Sequence, residues 1–413
     1  MEPLITNDAV ILGILIGILA FVFYTSSLKT GFFSTFYKYI PSLLLCYFLP
    51  SLLNTFGIIN PETSQLYFVA SRYLLPASLV LLTLSIDFKG ILKLGPKALV
   101  MFLAGTLGIV AGGPLTVLLF SWLAPDVVGG EGPEAIWRGL TTIAGSWIGG
   151  GANQTAMKEV FGASDSLFSA MITVDVIVAN IWMAFLLYGA GISQKIDAWL
   201  KADSTAIEEL KTRIEKYRDS ITRIPSTTDL VLIVAVGLLV TGVSHFGADI
   251  LAPFFNTHYP QLNHLSLNSG FFWIVVIATT GGLLLSFTKA RELEGVGASK
   301  IGSLFLYILV ATIGMKMNIV SILDTPALFL IGICWMLIHV GIMLVVGKII
   351  KAPFFFVAVG SQANVGGAAS APIVASAFHS SLAPVGVLLA VLGYALGTYG
   401  AWICGVLMQN VAP

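Results

Sequence analysis

The stretch Ala144-Gly-Ser-Trp-Ile-Gly-Gly-Gly-Ala-Asn-Gln-Thr-Ala-Met157 places glycines and uncharged polar side chains inside a chain that is otherwise oily. A second stretch, Val359-Gly-Ser-Gln-Ala-Asn-Val-Gly-Gly-Ala-Ala-Ser-Ala-Pro372, repeats the Gly-Ser start and the Gly-Gly-Ala core in the other half of the chain. Of 413 residues, 57% are hydrophobic and 10% charged, against about 25% charged in soluble domains, and mean hydropathy is +0.92. This composition specifies an all-α, polytopic membrane protein whose lipid-embedded helices the two stretches interrupt.

Spanning helices need roughly 20 mostly apolar residues. Ten such segments lie near 9–26, 38–58, 67–86, 97–122, 164–192, 228–250, 268–288, 298–316, 325–347 and 383–409. The glycine stretches occupy shorter segments, 134–161 and 351–379, each of which crosses unwound or enters and leaves on one side as a re-entrant hairpin. The distribution of Lys and Arg decides, because cytoplasmic loops are enriched in them. If both are hairpins, Lys29, Lys38, Lys89, Lys93, Lys97, the basic residues between Lys195 and Arg223, Lys289, Arg291, Lys300, Lys348 and Lys351 all face the cytoplasm. Only Arg72, Arg138, Lys158 and Lys316 remain on the other side. A crossing first motif destroys this asymmetry, so the hairpin reading is adopted, with both termini outside the plasma (bacterial inner) membrane. Met1 to Asp8 carries no Lys or Arg, so the first apolar run lacks the basic flank of a signal peptide and is expected to be a retained helix.

Five full spans per half is an odd number, which inserts the second half upside down relative to the first. The expected organisation is therefore an inverted repeat over 1–192, a linker over 193–227 and a second inverted repeat over 228–413. A weak internal match agrees: Leu82-Thr83-Leu84-Ser85 resembles Ala311-Thr312-Ile313-Gly314, and Gly150 aligns with Gly366. The linker holds a capping box, Thr205-Ala-Ile-Glu208, and i,i+4 pairs Glu209–Arg213 and Asp219–Arg223, which predict a cytoplasmic amphipathic helix.

Non-helical backbone at membrane depth is tolerated only where protein buries it or water reaches it, so paired glycine breaks argue for a lined cavity. Glycines let the chain reverse and let a solute approach backbone N–H groups, and the half-helix after each tip offers a positive dipole end to an anion. The candidate solute-binding residues are Ser146, Gly149, Gly150, Gly151, Asn153, Gln154 and Thr155 in the first hairpin. Ser361, Gln362, Asn364, Gly366, Gly367 and Ser370 are those of the second. Small residues also serve close helix packing; their pairing in matching, inverted places is what favours a site.

Asp175 is the only carboxylate deep inside an expected span, and a charge there costs about 3 kcal/mol even on the insertion scale. It is the candidate sodium or proton site, with Asn180, Thr83 and Thr312 as further ion ligands. The plainer alternatives are an Asp hydrogen-bonded for packing and threonines bonded back to their own helices. Arg72 either meets an anionic solute, pairs with Glu159 or snorkels, and His339 and His379 read as packing residues. Cys46, Cys334 and Cys404 stand alone in apolar runs without metal spacing. No zinc-protease, nucleophile-elbow or P-loop pattern is present, so no enzyme activity, no nucleic-acid partner and no cofactor beyond a coupling ion are expected.

The two glycine stretches and the length resemble the bacterial and plant family of integral membrane proteins known as domain of unknown function 819, over nearly the whole chain. More distantly, ten spans with two oppositely entering glycine-rich hairpins are similar to the glutamate:sodium symporters and the 2-hydroxycarboxylate transporters. That resemblance implies an elevator mechanism on a homodimeric scaffold with sodium coupling. The hairpin letters differ from those families, so no substrate is carried over. The expected function is ion-coupled secondary transport, on sodium or protons, of a small anionic or zwitterionic organic solute. A passive channel, or a membrane sensor acting through the charged linker, are the alternatives.

Overall fold

The computed structural model describes residues 4–37, 40, 42–202, 224–265, 267–316, 327–379 and 382–413. The amphipathic linker helix expected over 205–223 lies outside them. Among the described residues the regular structure is helical, apart from one isolated bridge between Ile5 and Ile59.

The principal helices are α1 (Asp8–Ser26), α2 (Ser42–Thr55), α3 (Leu66–Leu84), α4 (Pro96–Leu123), α5 (Ile136–Phe161) and α6 (Asp165–Gly191) in the first half. The second half holds α7 (Thr227–His258), α8 (Gly270–Leu285), α9 (Ala298–Lys316), α10 (Ala327–Ile349), α11 (Phe354–Val365), α12 (Gly367–Phe378) and α13 (Ala383–Val411). Among the described residues, eight helices are long and apolar enough to cross a membrane, or nine if α8 is joined to the turn Lys289–Val296 across a 93° bend. They account for eight of the ten expected spans. The expected span near 38–58 is carried by α2, whose 14 residues include Pro50, and that near 268–288 by the 16 residues of α8. At 1.5 Å per residue these reach about 21 and 24 Å, short of a hydrocarbon core of about 30 Å.

These helices are apolar on all sides, as lipid-embedded helices are. α1 buries one stripe, Ile11, Leu15, Leu19 and Val22, while Val10, Leu12, Ile16 and Phe21 face outward. Packing sorts the helices into two bundles. α1, α2, α3, α7, α8 and α9 pack on one another, and α4, α5, α6 and α10 to α13 form the second bundle; α3 and α8 touch α5 and α13 where the two meet.

The two glycine stretches are both hairpins. Within α5, Gly150 has φ +74° and ψ −174°, outside helical geometry. A continuous helix would hold residues 145 and 153 about 12 Å apart, yet a Cβ placed on Gly145 would lie 2.5 Å from the Asn153 carbonyl oxygen. The arms diverge little. At the base the rings of Trp137 and Phe161 are 5.8 Å apart, and Arg138 donates to the Phe161 carbonyl. α11 and α12 form the second hairpin, turning at Gly366 and Gly367, and its base closes with the Phe355 and Phe378 rings 5.3 Å apart.

The hairpins enter from opposite ends. The base of the first lies beside the C-terminal part of α13, where Phe161 abuts Gly405, and its tip reaches Gly397. The base of the second lies beside the N-terminal end of α4, where Lys97 donates to the Lys351 carbonyl, and its Asn364 reaches Phe102. α4 and α13 run alongside each other in the same direction, since Phe102 adjoins Gly393 and Gly113 adjoins Cys404. Both tips therefore meet the middle of this helix pair.

Candidate functional site

Asn153 holds the first tip and Asn364 the second, by the same device. The Asn153 amide nitrogen donates to the Gly149 carbonyl of its own hairpin at 3.1 Å and to the Tyr394 carbonyl of α13 at 3.0 Å. Its oxygen accepts from Thr398, one turn further along α13, at 2.6 Å. The Asn364 nitrogen donates to the Gly360 and Phe102 carbonyls, each at 2.9 Å, and its oxygen accepts from Thr106, one turn further along α4, at 2.8 Å. Each clasp satisfies a buried amide completely, which is the condition for placing one at this depth. Gly149 is needed for the close approach, because a Cβ there would lie 2.7 Å from the Gly397 Cα.

Asp175 projects from α6 onto the first hairpin and binds both of its arms. One carboxylate oxygen accepts from the Trp147 indole at 2.7 Å and the other from the Gln154 amide at 2.9 Å. The carboxylate thus braces the tip across its turn. Its place in the second hairpin is taken by neutral groups. Trp182 of α6 donates to the Ser361 hydroxyl at 2.8 Å, and that hydroxyl lies 2.7 Å from His339 Nε2. His339 Nδ1 is 3.1 Å from the Gly105 carbonyl. A carbonyl can only accept, so Nδ1 carries the proton, Nε2 accepts from Ser361, and the chain is satisfied with a neutral imidazole.

The remaining candidates divide. Gln362 and Ser370 meet across the second tip at 2.6 Å, and the Gln362 carbonyl oxygen is buried without a hydrogen-bond partner. Thr155 bonds back to the Gly151 carbonyl at 3.0 Å. Gly150, Gly151, Gly366 and Gly367 form the turns themselves.

The four ion-site candidates do not converge. Asn180 donates to the Val176 carbonyl and Thr312 to the Leu309 carbonyl, each on its own helix. Thr83 bonds to Leu79 at 2.7 Å and lies 3.4 Å from the Thr279 carbonyl. From there a buried polar line continues, Thr279 to Thr398 at 3.0 Å and Thr398 to Asn153, joining the first bundle to the first hairpin but not to Asp175. Arg72 pairs with Glu159 at 3.0 Å, at the hairpin base and away from the tips.

Thr106, Thr398, Trp182 and His339 hold the tips, and the sequence reading passed over them as binding partners. The available signal was weak: each is a polar group in an apolar helix, and most such groups bond to their own backbone.

Comparison with known proteins shows the family of the chain. A curated relative, the uncharacterized membrane protein YjcL of Bacillus subtilis (strain 168), is 25% identical over 362 residues, covering 82% of this chain and 83% of the relative. The family model described as "Protein of unknown function (DUF819)" matches residues 13–411. The chain, a multi-pass membrane protein, therefore belongs to the DUF819 family.

Proposed function

We propose that the protein is an ion-coupled secondary transporter of a small anionic or zwitterionic organic solute, working by an elevator movement of one bundle against the other. The observation that carries this is the pair of hairpins entering from opposite ends with their tips at the middle of α4 and α13. Interrupted segments in matching positions are the usual mark of a transporter site near the bilayer midplane. The packing supports an inverted repeat. α1 lies against α2 as α7 lies against α8, α1 meets α9 as α7 meets α3, and α2 meets α9 as α8 meets α3.

On this reading the solute sits between the tips, where Gln362 has an unpartnered oxygen and the half-helices beyond Gly150 and Gly366 direct N–H groups inward. The coupling ion is sodium or a proton, with Asp175 as its site, the first bundle is the scaffold, and the working unit is a homodimer. No enzymatic step or cofactor enters the scheme.

The test is thermal stability of the purified protein in sodium and in potassium, with a panel of amino acids, dipeptides and carboxylates in each. A solute at about 100 times its dissociation constant stabilises by about 2.7 kcal/mol. Stabilisation by one solute class that needs sodium, and that loses the need in Asp175→Asn, is the expected result. A solute effect indifferent to both sodium and pH removes the coupling and leaves a facilitator.

A further inference from the structure

Six side chains meet where the base of the first hairpin touches the first bundle. Tyr67 and Arg72 of α3 and Lys316 of α9 come from the first bundle; Lys158 and Glu159 of α5 and Asp165 of α6 come from the second. Arg72 pairs with Glu159 at 3.0 Å and Lys316 with Asp165 at 2.7 Å. The Tyr67 hydroxyl donates to Glu159 and accepts from Lys158 at 2.9 Å. All these contacts cross between the bundles. The side chains of Lys158, Glu159 and Lys316 are only 6%, 13% and 16% exposed.

Each charge also has a partner on its own side. Lys158 reaches Asp165 at 2.6 Å and Glu159 at 3.4 Å, within the second bundle. Arg72 lies over the Phe271 ring of α8 at 4.4 Å, and Lys316 over the Tyr67 ring at 5.0 Å, within the first. The usual obstacle to opening a buried ion pair is the uncompensated charge left behind. Here separation of the bundles leaves both carboxylates on Lys158 and both scaffold cations on aromatic faces, which attract cations.

We propose that this cluster is a reversible ionic latch between the two bundles, closed in the present conformation, with Lys158 as the reserve cation that lets it open. It rests on the reading of the bundles as moving parts. Separation leaves one cation for two carboxylates on the hairpin side and aromatic faces for two cations on the other, a weaker second set that keeps the closed state preferred while lowering the cost of opening.

The proposal separates the roles of its members. Glu159→Gln weakens both contacts that Glu159 makes across the interface, to Arg72 and Tyr67, along with its longer contact to Lys158 on its own side, so the closed state loses population. Lys158→Met removes the reserve cation and one bond across the interface, to the Tyr67 hydroxyl; because both carboxylates then depend on Arg72 and Lys316 alone, the closed state is kept or favoured. The readout is bridging between cysteines at Gly151 and Leu306, placed in a variant without Cys46, Cys334 and Cys404. A Cβ at Gly151 would lie 3.9 Å from Leu306 Cδ2 across the bundle interface.

In membranes, without added solute, Glu159→Gln should lower the bridging rate by about tenfold, well within the range of ordinary conformational coupling, and Lys158→Met should hold or raise it. Arg72→Gln, which deletes a single pair, gives the same fall to a smaller degree if Glu159→Gln does not fold. An unchanged rate in both carboxylate-side and Arg72 variants, or a fall of equal size in Lys158→Met, overturns the latch. Bridging needs neither ion nor solute, so a failure of the transport reading in the stability assay is a separate result.

Discussion

The two hairpins share a tip clasp and differ in almost everything that holds the rest of them. In both, a buried asparagine joins its own hairpin to a carbonyl and a threonine one turn apart on a neighbouring helix. The first hairpin adds a carboxylate that binds both arms and an ion cluster at its base. The second has a neutral Trp182–Ser361–His339 chain on one arm, an aromatic base, and a glutamine at the tip with one unpartnered oxygen. Charged contacts therefore brace the first hairpin, whereas the second is held by neutral ones with one buried oxygen unpartnered. The matching clasps are the part that either half could not dispense with.

The largest effect should come from the carboxylate brace. Asp175→Ala strands the Trp147 indole and the Gln154 amide in a buried place, and each lost hydrogen bond to a charged group costs about 1.5–3 kcal/mol. Ser361→Ala, which breaks the corresponding neutral chain, should cost about 1–2 kcal/mol. Thermal denaturation of the purified variants measures both. Equal losses would mean that the two hairpins are held alike and that the contrast drawn from charge is empty.

Next come the turns, where the contrast is purely one of backbone. Gly150 lies at φ +74° and ψ −174°, a region essentially reserved for glycine, and Gly367 at φ +59°, which other residues visit at lower cost. The nearest atom to a Cβ on Gly150 is 3.7 Å away, and there is none within 4 Å of one on Gly367, so neither substitution clashes. Gly150→Ala should cost about 2 kcal/mol and Gly367→Ala about 1 kcal/mol. A reversed order in their melting temperatures would make the second turn the more constrained one.

These pairs also mark where the sequence was legible. Gly-Gly-Gly and Gly-Gly-Ala in oily surroundings located both turns, and the lysine asymmetry made them hairpins rather than spans, because glycine geometry and loop charge are properties of local sequence. Asp175 was singled out because a lone carboxylate in a span is costly. Both of its oxygens accept from the hairpin, and those partners are set by tertiary packing rather than by local sequence. Thr312 and Asn180 bond to their own helices, and Thr83 bonds to its own helix and lies 3.4 Å from the Thr279 carbonyl, contacts that no periodicity reveals. The ion cluster was out of reach for a related reason: Arg72, Lys158 and Lys316 were visible as basic residues on one side, but their convergence depends on α3, α5, α6 and α9 meeting at one end.

The smallest effect concerns the entrance to the second hairpin. Its first arm is capped by Asp197, whose carboxylate accepts from the Phe354 N–H at 2.6 Å, whereas the first hairpin begins on a backbone bond from Ile136 to the Gly129 carbonyl. Partial burial pushes the Asp197 carboxyl above its usual value, and the Phe354 N–H only partly pulls it back. The native state therefore holds this proton more tightly than the unfolded chain, whose aspartates titrate near about 3.9. The resulting stability is complete below that value and is lost as pH rises through the native one. Glu294, in the turn Lys289–Val296, is raised chiefly by burial as well and contributes a slope of the same sign. The difference between the parent and Asp197→Asn isolates the cap. Melting temperatures followed upward from about pH 4 should fall slightly more steeply in the parent, and by less than either substitution above, since Asp197 is partly screened by solvent. Parallel curves would mean that the N–H bond offsets the burial in full, so that the second hairpin, like the first, enters the bundle on a contact indifferent to pH.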